Sequence, residues 1–536
     1  MTLVGVAPGG ELGRRPRLFA ALARAFEIEF APRDAGEWRG LDAALLLAND
    51  APAGPPPPVP SLTIVDRGAR AVSATVELRD HPAVPVSLRG AQIEDGRSGG
   101  GGLDAVAGVP LASAARATLW RHPVDRGPRA DTSVLAPEEL APGEPLRDRL
   151  RAGRFLALLP LLELLRTVTA GRAWSFPRRH AAIILDDPNL HWPSYGHLDY
   201  RALVPHARRS GYHLAVAMIP LDAGWTHRDA VRAFREGNDV LSLLVHGNDH
   251  LRGELARPRG EDEAAALVAR ALERISAFER RTGLRVARVV APPHEIWGEA
   301  VARAMLAGGL EAMCADPEEG WLGALAGGDP LADWWPAARV AGGLPVVPRS
   351  LLTTAPGDLR LRAYLGQPIV LYGHHWDLSG GLDRLAAAAA EVSAMGEVEW
   401  TSLDRIARSC VATRNRDGVF EVRMHARRTE VEVPPGVGTA RVVLPPGAET
   451  VPGEAVAWRA GERSGGAAPG EAIPLSGAPA VELRLVRQPL PHRRPPPAPR
   501  RVWPLVRRSL TEGRDRAGAA VARWSLARPA RPPRSP

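Results

Sequence analysis

The stretch AAIILDDPN, residues 181–189, and its counterpart VLSLLVHGNDH, residues 240–250, decide the fold that the sequence predicts. Each begins with a run of apolar and β-branched residues, which is the pattern of a buried strand. Each ends abruptly in side chains that bind metals or move protons, namely Asp186, Asp187, His246 and His250. Such groups at the carboxyl ends of successive parallel strands are typical of the active face of an α/β barrel.

The region around these stretches, residues 175–410, alternates strand-like and helical segments. Further strand candidates are YHLAVAMIP, VARVVAPP, EAMCADP, PVVPRS and PIVLYGHH. The clearest helix is DEAAALVARALERISAFERRTG, residues 262–283, which has an apolar stripe at helical spacing. Alternation of this kind predicts an α/β fold with a parallel sheet that closes into a (β/α) barrel or a distorted one.

The flanking regions predict two further folded domains. Residues 1–150 open with a β-α-β pattern, TLVGVA, PRLFAALARAF and EIEFAP, which predicts a small flavodoxin-like or Rossmann-like α/β domain. Its glycine-rich turn at residues 9–13 does not match the spaced dinucleotide fingerprint. Residues 415–487 alternate apolar and polar positions between Pro-Gly turns, which predicts a small antiparallel β-sandwich appended to the barrel.

The positive charge of the chain is concentrated at its C-terminal end. Residues 491–536 contain 12 arginines against Glu512 and Asp515, a net of +10, whereas the whole chain carries +8, so the other residues sum to 8 − 10 = −2. The basic pI therefore belongs to this end of the chain and says little about what the folded body binds; no nucleic-acid partner is expected. The proline- and arginine-rich composition predicts a disordered tail whose deletion leaves fold and activity intact. A short basic helix within it predicts at most a weak contact with an anionic lipid surface.

Residue usage excludes several classes of protein. The chain has no lysine, which excludes Schiff-base chemistry and the P-loop. Its two cysteines, Cys314 and Cys410, form neither a disulfide framework nor a Cys-x-x-Cys pair. The first residues lack the pattern of a signal peptide, and the most apolar stretch, residues 155–165, is too short to span a membrane. These features predict a cytoplasmic protein without a transmembrane segment.

The polar residues after the two strands have the composition of a metal site. His246 and His250 are spaced so that both imidazoles can lie on one side of a helical turn and share an ion. Glycine at position 247 replaces the glutamate of a zincin motif, so the carboxylate is expected from Asp187 on a neighbouring strand. The alternative is that the histidines only follow a strand and pair with Asp249. A non-haem iron site also uses two histidines and a carboxylate, but residues 246–250 have His-x3-His instead of its usual His-x-Asp spacing.

A family resemblance follows from these motifs. Asp-Asp, then His-x3-His, then a Pro-rich turn after the fourth strand, and finally a late strand that ends in histidine, resemble the polysaccharide deacetylases, carbohydrate esterase family 4, over residues 178–410. Where that family has Arg-x-Pro, this chain has APPH at residues 291–294. The resemblance therefore lacks the arginine that would orient the base, and His294 or Glu295 is expected to take over part of its role.

The later motifs match the family more loosely. DPLADW, residues 329–334, resembles the fourth motif, whose Asp and Trp support the catalytic histidine and line the pocket; these would be Asp333 and Trp334. The fifth motif, Leu-x-His, is matched by LYGHH with one residue extra, so His374 and His375 compete for the role of the acid.

The resemblance implies a fold, a reaction and a set of roles. The fold is a distorted seven-stranded deacetylase barrel, and the reaction is hydrolysis of an acyl (acetyl) group from an N-acetylated or O-acetylated sugar or polysaccharide. A divalent metal ion, expected to be zinc, is held by Asp187, His246 and His250. Asp186 is expected to be the base, and His375 is favoured over His374 as the acid. The side chains expected to contact the carbohydrate are Trp192, His294, Glu295, Asp333, Trp334 and Trp376.

The rival hypothesis is a carbohydrate-binding or scaffolding protein that keeps the barrel and has lost activity. The missing arginine favours this rival. The intact carboxylates and imidazoles of the metal site oppose it, because decay of an active site is expected to erode the metal ligands as well. Metal content separates the two hypotheses.

Overall fold

The computed structural model describes the whole chain except residues 49–55, 66–72, 97–101, 104–106, 116, 124–126, 177, 320–327, 447–452, 488–501 and 528–536. The described residues form a mixed α/β structure, which confirms the predicted fold class at that level. Its larger sheets have nine and ten strands, and two sheets of four strands follow them in the chain.

The N-terminal sheet has two halves that differ in strand direction. Its strands are β1 (Thr2–Ala7), β2 (Ile28–Pro32), β3 (Ala43–Ala48), β4 (Ser61–Val65), β5 (Ala74–Leu78), β6 (Gln92–Asp95), β7 (Val109–Ala114), β8 (Ala117–His122) and β9 (Ala130–Ser133). In the order β2-β1-β3-β4-β9-β8-β7-β5-β6, the pairs as far as β9 are parallel and the rest are antiparallel. The parallel half agrees with the predicted β-α-β start. The antiparallel half departs from a flavodoxin-like or Rossmann-like sheet, which is mostly parallel.

Three helices contact this sheet. They are α1 (Gly10–Arg14), α2 (Pro16–Phe26) and α3 (Leu159–Thr169). In α2, Leu18 and Leu22 recur at helical spacing and lie in one apolar core with Val4 and Val6 of β1. The apolar residues around 155–165 are buried in that same core. Within the described part of the chain, every helix is too short or too polar to cross a membrane.

Residues 180–409 alternate strands and helices around a curled, mainly parallel sheet. Its strands are β10 (His180–Asp186), β13 (Leu214–Met218), β14 (Leu241–Val245), β15 (Val286–Val290), β16 (Ala312–Ala315), β17 (Ala338–Val340), β18 (Leu344–Pro348), β19 (Ser350–Leu351), β20 (Ile369–His374) and β21 (Glu399–Trp400). A hairpin, β11 (Ser194–Tyr195) and β12 (Leu198–Asp199), follows β10. The order is β17-β18-β16-β15-β14-β13-β10-β20-β19, with β21 beside β10 and only β17 antiparallel to its neighbour.

The sheet closes on itself through one extended segment, residues 344–351. Its first part, β18, pairs with β16, and its last part, β19, pairs with β20. Arg349 lies between the two parts, and its backbone N–H donates to the carbonyl of Ala315. Counting this segment once, the ring contains seven strand positions: β10, β13, β14, β15, β16, residues 344–351 and β20. Because these strands are parallel, their carboxyl ends meet at one mouth of the ring.

Helices surround the ring. They are α4 (Tyr200–Ser210), α5 (Arg228–Glu236), α6 (Glu261–Thr282), α7 (Glu299–Ala307), α8 (Pro356–Tyr364), α9 (Asp383–Ser393) and α10 (Leu403–Ser409). The helix predicted at residues 262–283 is α6, which buries Val268, Ile275 and Phe278 in the core of the ring. Acidic residues in its first turn suit the helix dipole, and Gly283, in the left-handed conformation with φ of 69°, ends it.

Two four-stranded sheets follow the ring and share an apolar core. Their strands are β22 (Val411–Arg416), β23 (Val419–Met424), β24 (Arg428–Glu432), β25 (Thr439–Val443), β26 (Glu454–Ala460), β27 (Arg463–Ala467), β28 (Ala472–Pro474) and β29 (Ala480–Arg487). The orders are β22-β23-β25-β28 and β24-β29-β26-β27. In β29, Val481, Leu483 and Leu485 alternate inward, as the sequence pattern predicts.

The last described element is α11 (Trp503–Ala527), a helix within the segment predicted to be disordered. The prediction is wrong for these residues, whereas 491–501 and 528–536 lie outside the described part of the chain. The reason is tertiary: Arg508 and Asp515 are buried against the mouth of the ring, where they find polar partners. A composition argument considers only whether a segment can bury an apolar core.

Candidate metal centre

The candidate site lies at the mouth of the ring. β10 ends at Asp186 and continues into Asp187, whereas β14 ends at Val245 and continues into His246. β13 lies between these two strands and pairs with both of them in parallel. The polar residues that end the two diagnostic sequence stretches therefore reach the same mouth.

Three side chains converge there. The Oδ1 atom of Asp187 lies 3.0 Å from Nε2 of His250 and 3.5 Å from Nε2 of His246. Ligand atoms that bind one tetrahedral zinc ion at about 2.0–2.1 Å lie about 3.3 Å from one another, so these spacings suit a shared ion. The three ligand atoms all lie within 4.8 Å of one another, and among the described residues they are the one group of three that meets this criterion.

The hydrogen bonding of these side chains fits a divalent cation. Oδ1 of Asp187 is buried, and no described residue donates to it with hydrogen-bond geometry. Nδ1 of His246 lies 2.9 Å from the carbonyl oxygen of Ala291 and donates to it, which leaves Nε2 as the acceptor atom that faces Asp187. A buried acceptor without a donor, beside an imidazole lone pair, is an arrangement that a cation satisfies.

The backbone carries strain at two of the three proposed ligands. Asp187 and His250 have φ values of 82° and 55°, in the left-handed region that residues other than glycine rarely adopt. Such a conformation costs on the order of 1–3 kcal/mol and persists where the surrounding structure enforces it, often at functional sites. Here the strain coincides with two side chains that point at one another.

The loop that joins the two histidines, residues 246–250, is held by Glu254. Its carboxylate accepts hydrogen bonds from the backbone N–H groups of Asn248 and Asp249 at 2.8 and 2.9 Å. Gly247 has φ of 63°, and a Cβ there would collide with the same carboxylate. The loop is irregular, so the predicted helical turn is wrong, although the two imidazoles still converge.

Asp249 takes no part in the histidine pair. It binds Arg274 of α6, whose Nη1 lies 2.5 Å from its Oδ1. The same nitrogen donates to the side chain of Asn248 at 2.7 Å. The alternative in which the histidines pair with Asp249 is therefore wrong, and both imidazoles face Asp187 instead.

Burial and charge oppose one another at this centre. Burial raises the pKa of Asp187, but the close imidazoles of His246 and His250 outweigh it and hold the pKa well below its usual range. Burial lowers the pKa of His246, and the charges of Asp186 and Asp187 reverse this and raise it. The pocket thus favours a positive charge, and a metal ion would replace the histidine proton.

The second aspartate, Asp186, faces a buried arginine. Nη1 and Nη2 of Arg349 lie 3.1 and 2.9 Å from its two carboxylate oxygens. Nε of Arg349 donates to Glu295 at 2.9 Å, and the guanidinium lies 4.0 Å from the ring centre of Tyr372. Burial raises the pKa of Asp186, but Arg349 outweighs it and the pKa is lowered. Asp186 is therefore ionised and fixed in position.

Arg349 corrects an expectation from the sequence. Because the third motif has no arginine, His294 or Glu295 is expected to take over its role. In the structure Glu295 instead binds Arg349 and accepts a hydrogen bond from the backbone of Asp316 at 3.1 Å. His294 lies against His250, with ring centres 4.9 Å apart. Arg349 belongs to residues 344–351, the segment that closes the ring. The sequence signal for it was a charged residue directly after the apolar run PVVP.

The two histidines at the end of β20 have different environments. His374 is exposed, and its side chain accepts a hydrogen bond from the backbone N–H of Asp377 in a capping box. His375 is 2 % exposed, and neither of its ring nitrogens has a partner with hydrogen-bond geometry among the described residues. Its nearest carboxylate is Asp515, with Oδ2 3.5 Å from Nε2. Gly196, with φ of 54°, makes room for this ring, because a Cβ there would collide with it.

Two of the tryptophans predicted to contact carbohydrate lie at the mouth. Trp376 packs on His375 with ring centres 4.2 Å apart and is 44 % exposed. Trp192, which is 48 % exposed, follows β10 and lies beside Trp225 with ring centres 5.6 Å apart. Half-exposed aromatic faces beside a polar centre offer apolar surface to a ligand with polar edges.

Asp333 and Trp334 do not reach the mouth, so the expectation that they line the site is corrected. Asp333 pairs with Arg362 at 3.0 Å, and its carbonyl accepts a hydrogen bond from Gln367 at 2.6 Å. Gln367 precedes β20, whose length of about 20 Å separates it from the mouth. Trp334 is buried in the core of the N-terminal sheet. The sequence shows that Asp333 and Trp334 are adjacent, but not which part of the fold they pack against.

Residues of α11 also reach the site, which no sequence pattern predicted. Arg508 donates to the backbone carbonyl of Asp187, and it forms an ion pair with Asp222 at 2.6 Å. Asp515 accepts a hydrogen bond from the hydroxyl of Tyr195 at 2.9 Å. The sequence did contain one usable signal. Glu512 and Asp515, the two acids of the segment, stand three residues apart and therefore share one face of a helix.

Neither a protein-family model nor a curated protein matches the chain. Among solved structures, a putative polysaccharide deacetylase from Mycobacterium smegmatis is 16% identical over 44% of this chain and 92% of that chain, with a TM-score of 0.31. A family 4 acetyl xylan esterase from Clostridium thermocellum, in complex with a cobalt ion, is 13% identical over 42% and 90%, with a TM-score of 0.25. A CE4 family pseudoenzyme from Bacillus anthracis is 11% identical over 42% and 64%, with a TM-score of 0.25. The chain is thus remotely and partially similar to carbohydrate esterase family 4 structures.

Proposed function

We propose that this protein is a metal-dependent hydrolase that removes an acyl group, acetyl above all, from an N-acetylated or O-acetylated sugar or polysaccharide. One observation carries the proposal: the buried Oδ1 atom of Asp187 lacks a hydrogen-bond donor and faces the Nε2 atoms of two imidazoles at 3.0 and 3.5 Å. Two imidazoles and a carboxylate are the donor set of a catalytic zinc ion, which keeps a further position for water or substrate.

The residues around the centre have different roles in the proposed hydrolysis. A divalent ion, when bound, supplies a Lewis acid for the acyl oxygen and lowers the pKa of water. Asp187, His246 and His250 would hold it. Asp186, which Arg349 keeps ionised, accepts the proton of the attacking water. The two adjacent aspartates have separate tasks because one faces the imidazoles and the other faces the guanidinium.

The departing amine or alkoxide needs a proton, because an amide anion is a poor leaving group. We assign this acid to His375, whose ring nitrogens have no hydrogen-bond partner among the described residues. Burial lowers the pKa of His375, so the ring must first take up a proton from solvent, which it then gives up readily to the leaving group; Asp515 at 3.5 Å stabilises the protonated ring meanwhile. His374 is exposed and occupied by its capping hydrogen bonds.

Trp192 and Trp376 are proposed to contact the sugar rings on either side of the acyl group. Each presents a half-exposed indole at the mouth, close to the polar centre. An indole face packs against the apolar face of a sugar, while its N–H remains available to hydroxyl groups. His294, next to His250, is proposed to contact the substrate on the opposite side of the metal ligands.

The alternative is a carbohydrate-binding protein that keeps the site without turnover. Its support from the sequence was the missing arginine, and Arg349 weakens that argument because it reaches the base from another strand. The observation that favours it is α11, whose residues lie over the mouth. Metal content together with acyl release distinguishes the two functions.

The test combines elemental analysis with acetate release from a panel of N-acetylated and O-acetylated sugars. The wild-type protein is expected to bind about one divalent ion per chain and to release acetate from at least one class. Asp187→Asn is expected to lose the ion and turnover. The matched control is Asp249→Asn, three residues after His246, which should retain the ion because Asp249 binds Arg274. A wild-type protein that binds no ion contradicts the proposal, and an ion without acetate release supports the alternative.

A further inference from the structure

A cavity of about 420 Å³ lies at the amino ends of β14 and β15, at the end of the ring opposite the mouth. Its walls come from the starts of these two strands, the regions that follow α5 and α6, and the first turn of α10. Ser242 lines the cavity, and His246 at the mouth lies four residues further along the same strand direction. At about 3.3 Å per residue this is a separation of about 13 Å. The cavity is therefore separate from the candidate metal centre.

The size and the lining of the cavity suit a small organic molecule. Ligand pockets in proteins usually have volumes of about 300–1,000 Å³ and combine apolar surface with a few polar groups. Phe234, Leu241 and Leu284, which are buried residues of the ring core, supply apolar surface here. Asn238 and Ser402 add an amide and a hydroxyl group. Apolar surface favours a ligand with a carbon skeleton over a bare ion, because the ligand removes that surface from water.

Two arginines give the lining an excess of positive charge. Nη2 of Arg235 donates to the backbone carbonyl of Thr282 at 2.8 Å, and within the described part of the chain no carboxylate forms an ion pair with it. The side chain of Arg285 is 72 % exposed, and its Nη2 lies 3.6 Å from Oδ2 of Asp404, beyond hydrogen-bond distance. Arg408 shares that carboxylate oxygen at 3.8 Å. One carboxylate therefore faces more than one guanidinium, and an anionic ligand would balance the charge.

Ser242 offers its hydroxyl oxygen to the cavity as an acceptor. Nε2 of His213 lies 2.9 Å from this oxygen, and Nδ1 of the same ring lies 3.2 Å from the backbone carbonyl of Asp239. A carbonyl oxygen can only accept, so Nδ1 carries the hydrogen and Nε2 accepts the hydroxyl proton of Ser242. Burial lowers the pKa of His213 to about 4, so the ring is neutral at pH 7. Because the hydroxyl proton is engaged by His213, Ser242 can accept a hydrogen bond from a ligand.

These features together indicate the chemical class of the ligand. A carboxylate or phosphate group suits the two arginines, because a guanidinium forms charge-assisted hydrogen bonds with both kinds of anion. A hydroxyl group of the ligand suits the acceptor oxygen of Ser242. A neutral sugar would leave the arginines without a counter-charge, whereas inorganic phosphate would leave the apolar surface in contact with water.

We propose that this cavity is a second binding site, which takes a small anionic molecule with hydroxyl groups, of the class of sugar acids and sugar phosphates. Arg235 and Arg285 bind the anionic group, and Ser242 accepts a hydrogen bond from a hydroxyl group. The inference goes beyond the hydrolase proposal and does not depend on it, because binding at the opposite end of the ring is measurable without turnover.

Binding is tested by isothermal titration calorimetry of the full chain with glucuronate and with glucose 6-phosphate. At least one of them is expected to bind with a Kd of about 1 mM or below, and the tighter of the two shows whether a carboxylate or a phosphate is preferred. Glucose and inorganic phosphate should each bind at least about tenfold more weakly. Binding of neither sugar anion overturns the proposal, and inorganic phosphate that binds as tightly as glucose 6-phosphate overturns the proposed ligand class.

The location of the site is tested with arginine variants. Arg235→Gln and Arg285→Gln should each weaken binding of the sugar anion at least about tenfold, because each removes a charge-assisted hydrogen bond. Arg232→Gln is the matched control, since Arg232 is an exposed arginine of the same helix as Arg235 and pairs with Asp229 outside the cavity. Equal affinity in all three variants places the bound anion elsewhere and overturns the proposal.

The role of Ser242 is tested with a pair of ligands. Ser242→Ala should weaken binding of glucuronate but not of cyclohexanecarboxylate, an acid with a six-membered ring and no hydroxyl groups, because only glucuronate donates to the lost oxygen. Circular dichroism and the unfolding midpoint of the variant are measured alongside, since His213 loses its partner as well. Equal loss for both acids, or no loss for either, overturns the assigned hydrogen bond.

Discussion

Replacing Arg349 with glutamine is expected to destabilise the ring of strands by about 3–5 kcal/mol, the usual cost of removing one partner from a buried ion pair. Arg349 is 2 % exposed and lies between two carboxylates, Asp186 and Glu295, which are 3 % and 8 % exposed. Glutamine would keep most of the volume but remove the charge that both carboxylates face. The upper part of the range is expected because two acids lose their partner at once.

The loss is expected to depend on pH. Burial already raises the pKa of Glu295, and Arg349 opposes that rise. In Arg349→Gln the pKa of the folded state rises further above that of the unfolded state. Such a group stabilises the fold fully below its unfolded pKa, and this stability is lost as pH rises through the folded pKa. The deficit of the variant should therefore be smaller at pH 5 than at pH 8.

The assay is calorimetric unfolding at both pH values, with turnover measured well below the midpoint. Arg362→Gln is the matched control, because Arg362 is equally buried and pairs with Asp333 at the other end of the ring. Both variants should unfold earlier, but only Arg349→Gln should lose turnover, by about 10²–10⁴-fold for a disabled general base. Adding Glu295→Gln to it should recover part of the stability. Equal turnover in the two arginine variants, or no recovery in the double variant, would refute this reasoning.

Three further predictions concern the site itself. Asp187→Asn should bind less metal than the wild type in elemental analysis while its circular dichroism is unchanged, because a charged ligand is lost; full metal occupancy would remove Asp187 from the ligand set. His375→Ala should lose about 10²–10⁴ in turnover with metal retained, whereas His374→Ala should remain near wild type; the reverse order would reassign the acid. Gly196→Ala should reduce turnover with metal retained, since its Cβ would displace His375, and Gly211→Ala, with φ of 68° but open space around it, controls for backbone strain.

Local patterns predicted the elements that hold the ligands. Runs of apolar residues show where a strand begins and ends, and a strand's end determines which residues reach the mouth of a parallel ring. For this reason Asp187, His246 and His250 were predicted as one group, and α6 was predicted nearly to the residue. The loop between the histidines was predicted incorrectly as a helical turn, because its shape depends on Glu254 and on glycine at position 247.

Local sequence patterns could not predict contacts between segments that are distant in the chain. Arg349 lies 163 positions from Asp186 in the chain, and only the closure of the ring brings the two together. The sequence predicted that Asp333 lines the site. In the structure it binds Gln367, which lies at the end of β20 opposite the mouth. Whether His374 or His375 faces inward was decided by the 3-10 turn that follows β20 and by the space at Gly196.

The sequence by itself determined the α/β class, the strand ends and the three proposed metal ligands, because hydrophobic periodicity and residue chemistry are local properties. Only the tertiary structure decided which arginine faces Asp186, the proposed base, and it also showed that a charged helix covers the mouth. The physical reason is that α11 is held by ion pairs and hydrogen bonds to loops more than 250 residues away in the chain. The two acids of the segment share one helical face, but nothing local in the sequence shows which distant loops they bind.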